Sequence, residues 1–319
     1  MNFEFIGRLE PFGEPDCESD VEILGEERYS RYYLNSTYFN QFALHPSVYL
    51  IVGRRGSGKT ALSRSFAFQS GMKNSISVDV DEPASFHQVI SKIVEQDMLN
   101  KELQVPRLVK VWEYIIWSSI FYHLRDRDYR INAACAFNSE EGASKIVRIL
   151  LQSLLEKYVG SGKGDLSDEI ESIFLSSTFT HAQAATLEVA RKQPVIVTLD
   201  TLENYSTRDP RLMIATSALI EFAAKYNRKY SKQNIHIKLF MMDEIFPYLT
   251  EEYISNTLKY VRDEIYLYWR PKDLMRMLCW RLFQYLKMAD YSRNLTLETD
   301  WEDYQHVKKN IWDKYFGRY

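Results

Sequence analysis

The chain has 319 residues, 45% hydrophobic and 26% charged, with a formal net charge of −3. That length suffices for one large core, or one core with an appended subdomain, in an ordinary globular composition. The near-balanced charge gives no general signature of nucleic-acid or membrane binding, although a local basic groove for nucleic acid stays open.

Residues 1–45, punctuated by Pro11, Gly13 and Pro15, read as a polar, aromatic lead-in, with a helix expected over Tyr29 to Phe42. The start Met-Asn-Phe-Glu-Phe shows no export signal. Cys17, Cys135 and Cys279 show no metal-ligand spacing and read as reduced thiols, so a cytoplasmic location is expected.

The apolar run Val48–Val52 predicts a strand, and Ala61 to Gln69 a helix. Between them Gly53-Arg54-Arg55-Gly56-Ser57-Gly58-Lys59-Thr60 spells G-x-x-x-x-G-K-[ST], a phosphate-binding P-loop in its required strand-to-helix setting. Such a loop wraps an anion with successive backbone N–H groups, and its glycines permit the close approach and the φ > 0 turns. Residues 53–61 are therefore the candidate nucleotide cradle. Lys59 reaches the β/γ-phosphates as a point charge, and the Thr60 hydroxyl is a candidate Mg²⁺ ligand. The helix N-terminus behind them adds partial positive charge.

Ser75 to Val80 alternates apolar and polar and predicts a second strand. A long helical stretch follows, from about 84 to 193, with helices expected at Phe86–Leu99, Leu108–Leu124, Gly142–Tyr158 and Phe179–Lys192. Lys110 and Glu113 interrupt Leu108–Leu124, so it reads as a buried helix, not a membrane span. Gly160 to Asp165 reads as a flexible loop.

Val195 to Leu199 is a nearly continuous apolar run, as for a strand buried on both faces, and Asp200 ends it. Asp200 is the candidate carboxylate that orients Mg²⁺ through its water shell, and Glu203, three residues on, the candidate base or water-orienting group. Asp81 and Glu82 are weaker competitors. A helix is expected over Asp209–Lys229, strands at Ile235–Met241 and Glu264–Trp269, and helices at Pro271–Leu286 and Trp301–Phe316. The alternation predicts an α/β P-loop NTPase fold: a mostly parallel sheet flanked by helices, with a large helical insertion.

In many multi-strand ATPases the strand after the Asp-bearing one ends in a polar γ-phosphate sensor. Here Met241-Met242-Asp243-Glu244 stands at that place, so either Asp243 serves or hydrolysis is slow. Arg270 and Arg281 are the arginines best placed in sequence to meet transition-state charge, with salt bridges as the competing role. The chain lacks an Asn-Lys-x-Asp guanine-reading motif, which points to ATP, and a Leu-Ser-Gly-Gly-Gln motif, which points away from transporter ATPases.

These pieces together resemble bacterial P-loop ATPases of the STAND class and their AAA-related kin. The matching segments are 53–60, 195–203, Lys-Leu-Phe-Met-Met-Asp-Glu-Ile-Phe (238–246) and Tyr-Trp-Arg-Pro-Lys-Asp-Leu-Met-Arg-Met-Leu-Cys-Trp-Arg (268–281), with an outline match over roughly 35–290. The resemblance implies an ATP-driven switch that controls assembly or an effector, often in bacterial defence or signalling. It implies a protein partner and allows a homo-oligomer. The division expected is a lead-in (1–45), an ATPase domain (46–290) and a C-terminal helical segment (291–319), a possible abbreviated lid. Two alternatives stay open: a nucleotide-binding module without significant hydrolysis, and a P-loop small-molecule kinase.

Overall fold

A computed structural model describes residues 12–14, 16–34, 45–68, 74–79, 101–135, 166–200, 209–254, 256–261, 263–288 and 299–316. The expected helices at Phe86–Leu99 and Gly142–Tyr158, the loop at Gly160–Asp165, and Asp81, Glu82 and Glu203 lie outside the described residues.

Five parallel strands form one sheet: β1 (Leu50–Gly53), β2 (Asn74–Asp79), β3 (Val195–Asp200), β4 (Ile235–Met242) and β5 (Ile265–Leu267), in the order β2-β3-β4-β1-β5. Flanking helices are α1 (Cys17–Tyr32), α2 (Lys59–Phe68), α3 (Lys101–Leu124), α4 (Tyr129–Ala134), α5 (Leu166–Leu175), α6 (Ser177–Lys192) and α7 (Pro210–Tyr230). Then come α8 (Phe246–Glu252), α9 (Thr257–Tyr260) and α10 (Pro271–Met288). Short turns of helix at Tyr304–Val307 and Asp313–Tyr315 flank a π-helical stretch, Lys308–Trp312. Among the described residues, no helix is long and apolar enough to cross a membrane.

Period-two alternation sends each strand's side chains to two different layers. On one face Leu50, Val52, Val197, Ile237 and Leu239 join a large core with the helices between β2 and β3 and with α7. On the other, Ile51, Ile196 and Phe240 pack against Leu62 and Phe66 of α2. Every residue of β3 is buried, as its unbroken apolar run predicts.

The described helices between β2 and β3 bury several aromatic side chains. Trp112 and Trp117 of α3 are buried, and the Trp112 indole donates to the Ala215 carbonyl of α7 at 3.0 Å. Trp117 meets Phe121, Tyr226 and Tyr230 at ring-centroid distances of 5.2–5.6 Å. Helices α4 and α5 have no counterpart among the predicted elements. Leu166, Ile170, Ile173 and Phe174 of α5 do recur at helical steps.

A second, separate core joins the two ends of the chain. Leu24, Tyr29 and Tyr32 of α1 pack with Cys279, Phe283 and Leu286 of α10 and with Val307 and Ile311. A helix thus already starts at Cys17 and stops at Tyr32, where Tyr33 turns extended, while residues 35–42 of the helix expected from Tyr29 lie outside the described residues. The helix expected over Trp301–Phe316 begins later: Trp301 and Glu302 form a turn, Asp303 caps the start at Tyr304, and helical backbone runs on to Tyr315 through the π-helical stretch.

Candidate functional site

The loop leaves β1 at Gly53 and enters α2 at Lys59. Its geometry requires glycine at three places. Gly56 and Gly58 hold φ of +78° and +91°, the left-handed region that a side chain disfavours. A Cβ at Gly53 would collide with Ser57 Oγ and sit 3.0 Å from the Leu267 carbonyl of β5. The Ser57 amide donates to the Arg54 carbonyl at 3.0 Å, and the Leu62 amide to the Gly58 carbonyl at 2.9 Å, which starts the helix.

Lys59 is buried, and its ammonium spans the loop to the carbonyls of Gly53 (3.0 Å) and Arg54 (3.2 Å). Thr60 and Ala61 follow in the first turn of α2, both partly buried. Arg54 and Arg55 are exposed. Arg54 nonetheless reaches Asp243 just past β4, Nε to Oδ2 3.1 Å.

Strand order brings the carboxylates into position. β4 lies between β1 and β3, with Met242 opposite Gly53 in register, so Asp243 emerges directly beside the loop. Asp243 Oδ1 is buried and has no hydrogen-bond partner among the described residues. Asp200, 4% exposed, ends β3 one strand further away, and Asp79 lies opposite it at the end of β2. Glu203 lies outside the described residues, so its place relative to the loop is left as the sequence has it.

On the β5 side the loop borders a cavity of about 490 Å³ between the end of α1, the first turn of α2 and the β5–α10 junction. Its lining includes Tyr32, Tyr33, Gly58, Tyr268 and Trp269. The Trp269 indole N–H donates to the Gly56 carbonyl at 3.1 Å, tying the β5–α10 junction to the loop.

Three arginines line this cavity, and each has a carboxylate partner. Arg270 pairs with Asp273 (2.5 Å), Arg276 with Glu302 (3.0 Å), and Arg281 with Asp20 (2.7 Å). Asp20 is 1% exposed, and Arg281 also donates to the Phe12 carbonyl at 2.6 Å. Of the two arginines singled out in sequence, Arg281 therefore ties α1 to α10, the salt-bridge role. The sequence did not indicate the Arg54–Asp243 pair or the Trp269 contact, because both depend on which strands are neighbours. The local hint was the tryptophan at the end of the expected Glu264–Trp269 strand, which the structure shortens to Ile265–Leu267, just before Arg270-Pro271.

Five parallel strands, flanking helices and a glycine-shaped loop between the first strand and its helix define a P-loop NTPase fold. Residues 31–152 match a family model described as Zeta toxin, whose fold is P-loop and kinase-like. The match takes in β1, the loop, α2, β2, α3 and α4 and ends before β3, so Asp200 and Asp243 fall outside it. It supports nucleotide binding by this loop and covers less than half of the chain. No curated protein and no solved structure matches.

Proposed function

We propose that this protein is an ATP-binding switch that hydrolyses ATP slowly and through it controls a protein partner. The observation that carries this reading is the strand order. An extra strand, β4, stands between the P-loop strand and the Asp200 strand, and its end delivers Asp243 to the loop. The sequence already leads one to expect the strand after the Asp200 strand to end in a polar group facing the terminal phosphate, and the strand order sets that end beside the loop. Being a carboxylate, Asp243 would meet a water or a metal's hydration shell, not a phosphate oxygen.

The chain's own groups fit a magnesium nucleotide. The backbone of 53–58 has the glycine-dependent shape of an anion cradle, and Asp243 offers a buried oxygen with no protein partner among the described residues. Thr60 and Asp200 would hold Mg²⁺, which when bound neutralises charge on the β- and γ-phosphates. Lys59 would exchange its loop carbonyls for phosphate oxygens, and Glu203 would orient water. A partner as the controlled target follows from the resemblance to switch ATPases. The helical segment between β2 and β3 is the surface it would use or through which copies would associate.

The test is nucleotide binding and phosphate release by wild type, Lys59→Ala, Asp200→Asn and Glu203→Gln. Lys59→Ala is expected to lose nucleotide. Asp200→Asn should lose the magnesium dependence of binding. Glu203→Gln should keep binding while turnover falls roughly a hundredfold or more. Unchanged turnover in Glu203→Gln removes it as the base. Absence of phosphate release, with or without co-purifying proteins, replaces this reading with a nucleotide-binding module.

The match to the Zeta toxin model favours a second reading, phosphoryl transfer to a small molecule. Terminally labelled ATP separates the two. Label appearing only as inorganic phosphate supports the switch, and label in an acceptor from a cell extract supports the kinase.

A further inference from the structure

The 490 Å³ cavity beside the loop has the features of a ligand site, and the proposal for it rests on the phosphate reading above. We propose that it is a nucleoside site selective for purines, walled by the aromatic side chains of Tyr33, Tyr268 and Trp269, with the Tyr32 hydroxyl as a polar contact to the bound nucleoside.

Position comes first. Ser57, Gly58, Ala61 and Leu62 line the cavity, so it opens directly from the phosphate cradle. The carboxylates lie on the opposite side of the loop: Asp243 follows β4, whereas the cavity adjoins β5, and β1 separates these strands. A nucleotide with its terminal phosphate toward Asp243 and Asp200 therefore extends its nucleoside into this cavity. The volume falls in the range of about 300–1,000 Å³ usual for small-molecule sites.

Chemistry agrees with position. Trp269 is held against the loop by its bond to the Gly56 carbonyl, and its Cζ2 lies 3.6 Å from where a Cβ on Gly58 would stand. Trp269 as a residue is still 45% exposed, and Tyr268 is 67% exposed. Apolar aromatic area fixed in place beside a phosphate cradle is what a base stacks on. Tyr32, by contrast, is 2% exposed, and its hydroxyl has no partner among the described residues. A buried phenol without a partner is unfavourable, and a ligand group in the cavity would satisfy it. Burial pushes the Tyr32 pKa up to about 12, so the group is a donor at any ordinary pH. Among the described residues the lining holds no asparagine or glutamine, and its arginines are paired with carboxylates, so we take selection to act through stacking area. Two fused rings offer more of it than one.

The decisive measurement is the affinity ratio of ATP to inorganic tripolyphosphate, with GTP and CTP as further ligands, for wild type, Lys59→Ala, Trp269→Ala, Tyr268→Ala and Tyr32→Phe. Wild type is expected to favour ATP over tripolyphosphate by roughly tenfold or more, with ATP and GTP both above CTP. The ratio should fall toward one in Trp269→Ala and decrease in Tyr268→Ala, whose exposed side chain is not needed for folding. Tyr32→Phe should weaken ATP several-fold. Equal wild-type affinity for ATP and tripolyphosphate overturns the nucleoside site alone, as does a ratio unmoved by both aromatic substitutions. Binding of neither ligand overturns the phosphate reading along with it.

Discussion

A methyl group added at Gly53 would run into Ser57 Oγ and crowd the Leu267 carbonyl, while the same group at Gly56 meets nothing within 4 Å. The two glycines are therefore separable by substitution. Gly56→Ala carries only the strain of φ +78°, about 1–2 kcal/mol, and should lower the melting temperature by a few degrees. Gly53→Ala should displace β5 from β1 and weaken nucleotide binding well beyond its effect on stability, as paired calorimetric and binding measurements would show. His236, on β4, is a residue-scale question of a different kind. Burial, helped by Lys238, pushes its pKa down to about 3, so the folded protein holds it neutral. The unfolded chain takes up a proton near pH 6.5 that the native state refuses, so this group subtracts stability progressively as pH falls from 6.5 toward 3. Between those limits His236→Gln should show a shallower acid loss than wild type in denaturant titrations at stepped pH, with the two curves parallel above pH 7.

At the scale of elements, β4 organises the site, and its own edge needs support. β1 begins opposite Leu239, so two residues earlier the Ile237 backbone has no strand beside it on that side. Asn227 of α7 fills the gap: its Oδ1 accepts from the Ile237 amide at 2.9 Å and its Nδ2 donates to the Ile237 carbonyl at 3.1 Å. Asn227→Leu would leave a buried N–H and C=O unmatched and should destabilise the fold by about 2–4 kcal/mol, measured by denaturant unfolding. The elements themselves were largely legible. An apolar run of Val195 to Leu199 can only be a strand covered on both faces, and Asp209-Pro210 announces α7, with Asp209 accepting from the Arg211 amide at 3.0 Å. Helix α5 is short and follows directly on a glycine-rich string that reads as loop, so its apolar steps are hard to tell from loop residues in sequence. The helix at Cys17–Tyr32 lies earlier in the chain than the aromatic run from Tyr29 suggests, and Tyr33's extended backbone, which marks its end, has no local signal in the sequence.

For the molecule as a whole, two cores meet at the nucleotide cradle. One is the sheet with its helices. The other joins α1, α10 and the C-terminal turns, and it carries the Tyr32 side of the cavity. The Arg281–Asp20 pair fastens this second core, with Asp20 also accepting from the Glu14 amide at 2.6 Å. Arg281→Met would strand a buried carboxylate and should cost about 3–5 kcal/mol. If the pair is structural, Asp20→Asn combined with Arg281→Met should recover part of that loss, whereas a transition-state role would show as lost turnover at unchanged stability.

The sequence by itself determined the phosphate-binding loop and the buried strand that ends in Asp200. Both are written locally, one in the backbone conformations that only glycine adopts readily and the other in an unbroken apolar run. Tertiary structure alone decided that β4 separates the loop strand from the Asp200 strand, that Arg54 meets Asp243, and that Tyr32 and Trp269 share one cavity. Strand order and the meeting of chain ends arise from pairings between distant segments. They leave no periodicity in the sequence, because their energy lies in surfaces buried against each other.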